Sequence, residues 1–303
     1  MVFQQPFFDR LADAVLQCGN PVLVGLDPRR ESLPGPLRVD SDEPAAWAKA
    51  YQRFCCDVVD VVAGRVAAVK PQAAFFEELG VPGMEALAAV IRHARAKGLL
   101  VILDGKRNDI GSTAVAYAKA YLGEESAWGC DALTVSPYLG GDSLDPFVDR
   151  ARFTNSGIFV LVKTSNPGGG MLQDLESESK TVCEHVADFL EATNARDPGR
   201  LGYGPAGAVV GATYSEQLAA LRQRMPHTWF LVPGFGAQGG TAGDVAPAFD
   251  AYGLGAVVNA SRSIIFAHSA PKYHARFGDR LWQDAVSAAL DDMIAELSQK
   301  EQS

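Results

Sequence analysis

The sequence predicts an α/β chain that folds as one (β/α)8 barrel domain over residues 1–303. Eight short runs of mainly Val, Ile and Leu recur along the chain, and none shows the alternation of a strand with one face in water. Longer segments with helical periodicity separate these runs. Eight strand–helix repeats favour a closed barrel, and a doubly wound open sheet is the alternative.

The apolar runs indicate strands that are buried on both faces of a parallel sheet. In chain order they are Val22–Asp27, Val66–Lys70, Leu99–Asp104, Ala132–Val135, Ile158–Lys163, Ala208–Gly211, Trp229–Val232 and Ala256–Asn259.

Apolar stripes with helical spacing predict the helices between the strands. One stripe lies between Pro44 and Gly64, and another, from Leu281 to Leu297, predicts a long C-terminal helix. An N-terminal helix is expected before the first strand. The remaining predicted helices are Glu85–Lys97, Asp142–Arg152, Lys180–Ala195, Ser215–Arg224 and Ala242–Tyr252. The Gly-rich segment Thr164–Ser179 is predicted to be a loop and a candidate lid.

Composition and charge exclude several classes of protein. The chain is 48% hydrophobic and 21% charged, its mean hydropathy is near zero, and its formal charge is −9. An acidic chain is a poor candidate for binding nucleic acid or an anionic membrane, because both need a basic face. Charged Asp9, Arg10 and Asp13 argue against a signal peptide, and no window is apolar enough for a membrane span. Five cysteines without a CxxC pair indicate free thiols and a cytoplasmic location.

Charged residues stand where three consecutive strands are predicted to end. Asp27 ends the first run, Lys70 ends the second and Asp104 ends the third, which Lys106 and Asp109 follow. Charges in such places are costly to desolvate unless they are paired. Any one of them could be a structural ion pair, but five of alternating sign at the catalytic face of a barrel favour an active site.

Two further patterns have a structural and a functional interpretation. Asp109 is expected to begin the helix after the third strand and to share a face with Thr113, either as an ordinary helix cap or as part of a site. The Gly-rich turn after the seventh strand, with Gln238 and Arg262, is typical of a phosphate site, although a plain glycine loop is the alternative.

Residues 104–113, DGKRNDIGST, resemble the D-x-K-R-x-D-I-x-x-T signature of the orotidine 5′-monophosphate decarboxylase family. Residues 25–29, 70–77 and 232–239 are similar to other segments of that family, so the resemblance extends over nearly the whole barrel. The form of residues 70–77 and the chain length resemble the longer, type 2 bacterial branch.

The resemblance implies a cytoplasmic carbon–carbon lyase that converts orotidine 5′-monophosphate to uridine 5′-monophosphate and CO2, without a metal or organic cofactor. It implies a homodimer in which Asp109 and Thr113 reach the partner's site. The other implied roles are Asp104 beside the substrate carboxylate, Lys106 as proton donor to carbon 6, Lys70 and Asp27 at the ribose hydroxyls, Ser165 at the pyrimidine, and Gln238 and Arg262 at the phosphate.

Some alternatives stay open from the residues alone. Thr164 could replace Ser165 at the pyrimidine, and Ser261 stands where many family members have glycine. Rival functions are a magnesium-dependent keto-gulonate phosphate decarboxylase or hexulose phosphate synthase, a Schiff-base aldolase, and a nucleotide-binding relative without activity. Carboxylates around a lysine disfavour the aldolase, because its lysine must be neutral to attack a carbonyl.

Overall fold

The computed structural model describes residues 4–212, 215–236 and 240–298. Within them, eight parallel strands form a closed barrel in the hydrogen-bonded order β1-β10-β9-β8-β5-β4-β3-β2. These strands are β1 (Val22–Leu26), β2 (Ala68–Pro71), β3 (Leu100–Arg107), β4 (Ala132–Val135), β5 (Gly157–Lys163), β8 (Ala206–Val210), β9 (Phe230–Val232) and β10 (Ala256–Ala260). The short strands β6 (Glu176–Ser177) and β7 (Lys180–Thr181) form a separate antiparallel pair.

Thirteen α-helices lie in the described ranges. They are α1 (Phe7–Cys18), α2 (Pro44–Val62), α3 (Ala74–Glu77), α4 (Gly80–Ala96), α5 (Gly111–Tyr121), α6 (Gly141–Thr154), α7 (Gly170–Gln173), α8 (Val182–Asn194), α9 (Ser215–Arg224), α10 (Ala242–Val245), α11 (Arg262–Ile265), α12 (Pro271–Phe277) and α13 (Trp282–Ser298). None of the helices described is both long and apolar enough to cross a membrane.

The predicted fold class and all eight strands are confirmed, with boundaries that shift by up to three residues. One helix prediction and one loop prediction need correction. The helix predicted over Ala242–Tyr252 ends at Val245 and continues only as a 3-10 turn, because Pro247 has no N–H for a helical hydrogen bond. Segment Thr164–Ser179, predicted to be a loop, contains a 3-10 turn, α7 and β6.

The chain consists of two compact units. One comprises Met1–Gln17 with Lys106–Asn259, and the other comprises Cys18–Gly105 with Ala260–Ser303. In the first unit, α1 places Phe8 against Phe159 of β5 and against Trp229, at ring-centroid distances of 5.3 and 6.2 Å. Edge-to-face and stacked aromatic pairs of this kind form the unit's core.

The second unit is held together by α2, α4 and α13. Phe54 of α2 stacks on Phe266 at 5.4 Å and lies 5.2 Å from Trp282 of α13. The register of its three strands, β1–β2–β3, runs without a shift, and the residues of β1 and β2 are buried throughout. The unbroken register fixes where the charged residues at the ends of these strands lie.

Candidate active site

Lys70 lies on the middle of the three strands β1, β2 and β3. Gly25 is its partner on β1, and Asp27 follows two residues later, so Asp27 is on the same face as Lys70. The register of β2 with β3 starts at Ala68 opposite Leu100 and continues to the bridge between Gln72 and Asp104. Asp104 on β3 is therefore a diagonal neighbour of Lys70, as Asp27 is on the side of β1.

This register produces a buried ion pair. The Nζ atom of Lys70 donates a hydrogen bond to Oδ2 of Asp104 at 2.6 Å, and the two residues are 5% and 7% exposed. The backbone on either side is also fixed, because Ala73 donates its N–H to the carbonyl oxygen of Asp104 at 3.2 Å. Lys70 and Asp104 therefore form a direct ion pair that leaves little freedom for either side chain.

The two carboxylates keep Lys70 charged. Burial alone would lower the pKa of Lys70, but the charges of Asp104 and Asp27 and the hydrogen bond to Asp104 raise the pKa above its ordinary value. Lys70 is therefore a fixed ammonium at neutral pH, as general electrostatic stabilisation requires.

One carboxylate oxygen of Asp27 is available to accept a hydrogen bond from a ligand. It is half-buried directly after β1, and its Oδ1 atom is shielded from solvent without a hydrogen-bond partner in the part of the chain that the structure describes. Buried polar atoms in native proteins nearly always have a partner, so an unpaired carboxylate oxygen at a strand end indicates a ligand-binding position. A hydroxyl group is a suitable donor to it.

Lys106 has an unusual backbone. It is an exposed residue of β3, two positions after Asp104, and its φ of 45° lies in the left-handed region that residues with a side chain rarely adopt. Lys106 therefore departs from the extended backbone of a regular strand. Its N–H donates to Oγ1 of Thr134 on β4 at 2.9 Å.

Asp109 precedes α5, which is a correction to the prediction that it begins the helix. The helix starts at Gly111 with Ile110 at the N-cap, and Oδ1 of Asp109 accepts the N–H of Ile110 at 2.8 Å. The spacing of four residues to Thr113 therefore does not place the two side chains on one helical face. Asp109 is half-buried and Thr113 is exposed on the first turn of α5.

The two hydroxyl residues after β5 differ in their contacts. Thr164 donates its hydroxyl to Oδ1 of Asn166 at 2.6 Å and accepts a hydrogen bond from Nε2 of Gln173 at 2.9 Å. Ser165 is half-buried, and its hydroxyl has no partner within the described residues. Of the two, Ser165 is the one whose hydroxyl is available to a ligand.

Arg262 is exposed as the first residue of α11, and only Ser261 separates it from the end of β10. Its guanidinium forms no ion pair within residues 4–212, 215–236 and 240–298. Gln238, the other predicted phosphate ligand, lies outside the described residues. Near Arg262 along the chain, Oδ1 of Asn259 and Oγ of Ser261 are buried without a hydrogen-bond partner among the described residues.

Sequence reasoning missed Thr134 and Asn259. Each is a polar residue in or at the end of an apolar strand, which is the signal that could have identified it. The described residues contain no cluster of three or more His, Cys, Asp or Glu side chains that could hold a metal ion. The expectation of a metal-free reaction remains a prediction.

Comparisons with known proteins identify the family of the chain. The model of the orotidine 5′-phosphate decarboxylase / HUMPS family matches residues 20–276. Orotidine 5′-phosphate decarboxylase of Rhodopirellula baltica is 57% identical, covering 96% of this chain and 98% of its own. The enzyme of that name from Haloarcula marismortui is 44% identical, covering 86% and 87%.

A solved structure, that of Leishmania donovani OMP decarboxylase, superimposes with a TM-score of 0.77 at 32% identity and covers 98% of this chain and 99% of its own. The match in sequence extends over nearly the whole chain, and the match in structure includes the barrel. The chain belongs to the orotidine 5′-phosphate decarboxylase family.

Proposed function

We propose that the protein converts orotidine 5′-monophosphate to uridine 5′-monophosphate and CO2, the last step of de novo pyrimidine biosynthesis. The observation that carries the proposal is the buried Lys70–Asp104 pair with Lys106 two residues further along β3, in a chain 57% identical to a relative bearing that name. We place this reaction on a single cytoplasmic domain of residues 1–303, of the longer bacterial type.

The chemistry explains the need for lysine at position 106. Breaking the bond between carbon 6 and the carboxyl carbon leaves an electron pair in the plane of the pyrimidine ring, where the π-system does not stabilise it. A fixed ammonium attracts that developing charge and then supplies a proton to carbon 6. The Lys106 amine recovers its proton from solvent, so one proton is consumed and one CO2 is released in each turnover.

The remaining polar residues bind the parts of the substrate that do not react. Lys70 and the unpaired oxygen of Asp27 bind ribose hydroxyls, and Asp104 lies beside the substrate carboxylate. Ser165 binds the pyrimidine edge. Gln238 and Arg262 bind the 5′-phosphate, whose remote binding energy supports catalysis at carbon 6.

We propose further that the protein is a homodimer in which Asp109 and Thr113 enter the partner's site. Exposed apolar side chains lie next to these two residues along the chain, since Ile110 and Val115 are 58% and 38% exposed. Exposed apolar groups beside a site residue are typical of a protein–protein interface.

Incubation of the purified protein with orotidine 5′-monophosphate and EDTA tests the reaction. We expect loss of the orotate-type absorbance and one uridine 5′-monophosphate for each substrate consumed. Lys106→Ala should lose this activity while it stays folded. A folded wild-type protein without turnover would refute the proposal, and turnover that disappears with EDTA and returns with Mg²⁺ would favour the metal-dependent members of the family.

Mixing two inactive variants tests the dimer. An equal mixture of Asp109→Ala and Lys106→Ala protomers should regain about a quarter of wild-type activity. After random exchange about half of all dimers contain one protomer of each variant, and one of the two sites in each such dimer is intact. No recovery after verified subunit exchange would show that Asp109 serves its own subunit.

A further inference from the structure

Lys106 differs from the other residues with positive φ. Within the described ranges, the non-glycine residues of this kind are Lys106, Asn155, Glu178 and Ser179. Asn155 caps the end of α6, and Glu178 and Ser179 form the turn between β6 and β7, where such angles are ordinary. Lys106 lies inside a barrel strand, where a left-handed backbone needs support from its surroundings.

The N-terminal side of Lys106 is supported by a side chain. In a regular parallel ladder a strand N–H is bonded to a main-chain carbonyl, whereas the N–H of Lys106 donates to the hydroxyl of Thr134 at 2.9 Å. Thr134 is 2% exposed on β4, and its β-branched side chain has few rotamers. The acceptor is therefore rigid.

The residue that follows Lys106, Arg107, is also anchored within the unit that contains Thr134. The carbonyl oxygen of Arg107 accepts the N–H of Ser136, which follows β4, at 3.0 Å. The guanidinium of Arg107 donates to the hydroxyl of Tyr121 and lies 5.4 Å from the centre of its ring. The residues on both sides of the left-handed position are therefore held while the Lys106 side chain remains exposed.

We infer that Thr134 is a positioning residue for the reaction: its hydroxyl holds the strained backbone of Lys106 and so aims the ammonium at carbon 6. This inference rests on the proposed function, since it assigns Lys106 the role of proton donor. If the ammonium is displaced by about 1 Å, it stabilises the transition state much less. The affinity of the protein for the nucleotide changes little, because the ribose and phosphate contacts supply it.

Thr134→Val and Thr134→Ser form a matched pair for kinetics. Valine keeps the shape of threonine and removes the acceptor, so we expect kcat to fall about tenfold or more with KM nearly unchanged. Serine keeps the hydroxyl and should stay within about threefold of wild type. The affinity for uridine 5′-monophosphate, measured by calorimetry, should be the same in all three proteins.

Wild-type kcat in Thr134→Val would overturn the inference, as would equal losses in both variants or a loss confined to KM. If Thr134→Val does not fold, Thr134→Cys replaces it, because cysteine differs from serine only in its sulfur atom and a thiol is a weak acceptor. We then expect Thr134→Cys to be slower than Thr134→Ser, and equal rates would refute the positioning role.

A stability measurement separates this inference from the proposed function. In an ordinary strand Lys→Gly is more destabilising than Lys→Ala, but glycine adopts positive φ without strain. We therefore expect Lys106→Gly to melt at a higher temperature than Lys106→Ala, whether or not the wild type is a decarboxylase. A lower melting temperature for Lys106→Gly would show that position 106 stores no backbone strain and would refute the inference.

Discussion

Replacing Lys70 by methionine tests whether the ion pair holds the ends of β2 and β3 together. Methionine preserves most of the side-chain volume but leaves the Asp104 carboxylate, 7% exposed, without the ammonium 2.6 Å away. At an effective dielectric constant of ~20, two unit charges at that distance attract by about 6 kcal/mol. Since desolvation offsets part of this attraction, we expect Lys70→Met to lower the free energy of unfolding by about 3 to 5 kcal/mol at pH 7.

The pH dependence of this loss identifies its cause. In Lys70→Met the ion pair is absent at every pH, so the pH dependence of unfolding should differ from that of the wild type. In the wild type, the pKa of Lys70 is higher in the folded protein than the ordinary lysine value of about 10.4. The pair therefore contributes its stability below that pH and loses it as pH rises through the folded pKa. Lys70→Met should lack this alkaline decline.

Urea denaturation at fixed protein concentration measures both effects, since the stability of the proposed dimer would depend on concentration. The matched control is Lys97→Met, because Lys97 forms a surface pair with Asp60 and should cost about 1 kcal/mol or less. A loss below about 1 kcal/mol in Lys70→Met, or one that does not change with pH, would refute the reasoning.

Two further predictions concern the segment that holds Ser165. A Cβ atom at Gly211 would lie 2.9 Å from the Cα and Cβ atoms of Ser165, so Gly211→Ala should raise KM with little effect on kcat. Gly168→Ala is the control, because the nearest neighbour of a Cβ atom there is 3.7 Å away, and its steady-state kinetics should be unchanged. An unchanged KM in Gly211→Ala would contradict this prediction. The ammonium of Lys163, a residue that is 1% exposed, lies 2.5 Å from Oδ1 of Asp174. Asp174→Asn should therefore loosen residues 164–174, so that limited proteolysis cleaves this segment faster. An unchanged cleavage rate would show that the pair does not hold the segment.

The strands could be predicted from the sequence because burial on both faces leaves little but apolar residues between turns. Their ends were less clear, since β3 continues to Arg107 through the charged residues of the proposed site. The start of α4 was missed for a related reason. Pro82 and Gly83 look like helix breakers, but they occupy its first turn, and a side chain at Gly83 would collide with the carbonyl of Phe76.

The pairing of charges at the strand ends could also be predicted, because charges after apolar runs are costly to desolvate unless they are paired. The backbone at Lys106 could not. No residue pattern marks a left-handed lysine, since its conformation depends on an acceptor 28 residues away. The role of Thr134 could not be predicted either, because a β-branched residue is common in strands and its presence in an apolar run gives no signal of function.

The energetics of the Lys70–Asp104 pair indicate why it is present. A buried ion pair is seldom more stable than two apolar side chains of the same volume, so stability alone does not explain it. The double variant Lys70→Met/Asp104→Leu should therefore recover most of the stability lost in Lys70→Met, yet have no activity. Such a result would show that the pair is retained because it fixes charge before the substrate binds, which is how electrostatic catalysis avoids reorganisation during the reaction. If the double variant were as unstable as Lys70→Met, the pair would instead be a structural requirement of the strand ends.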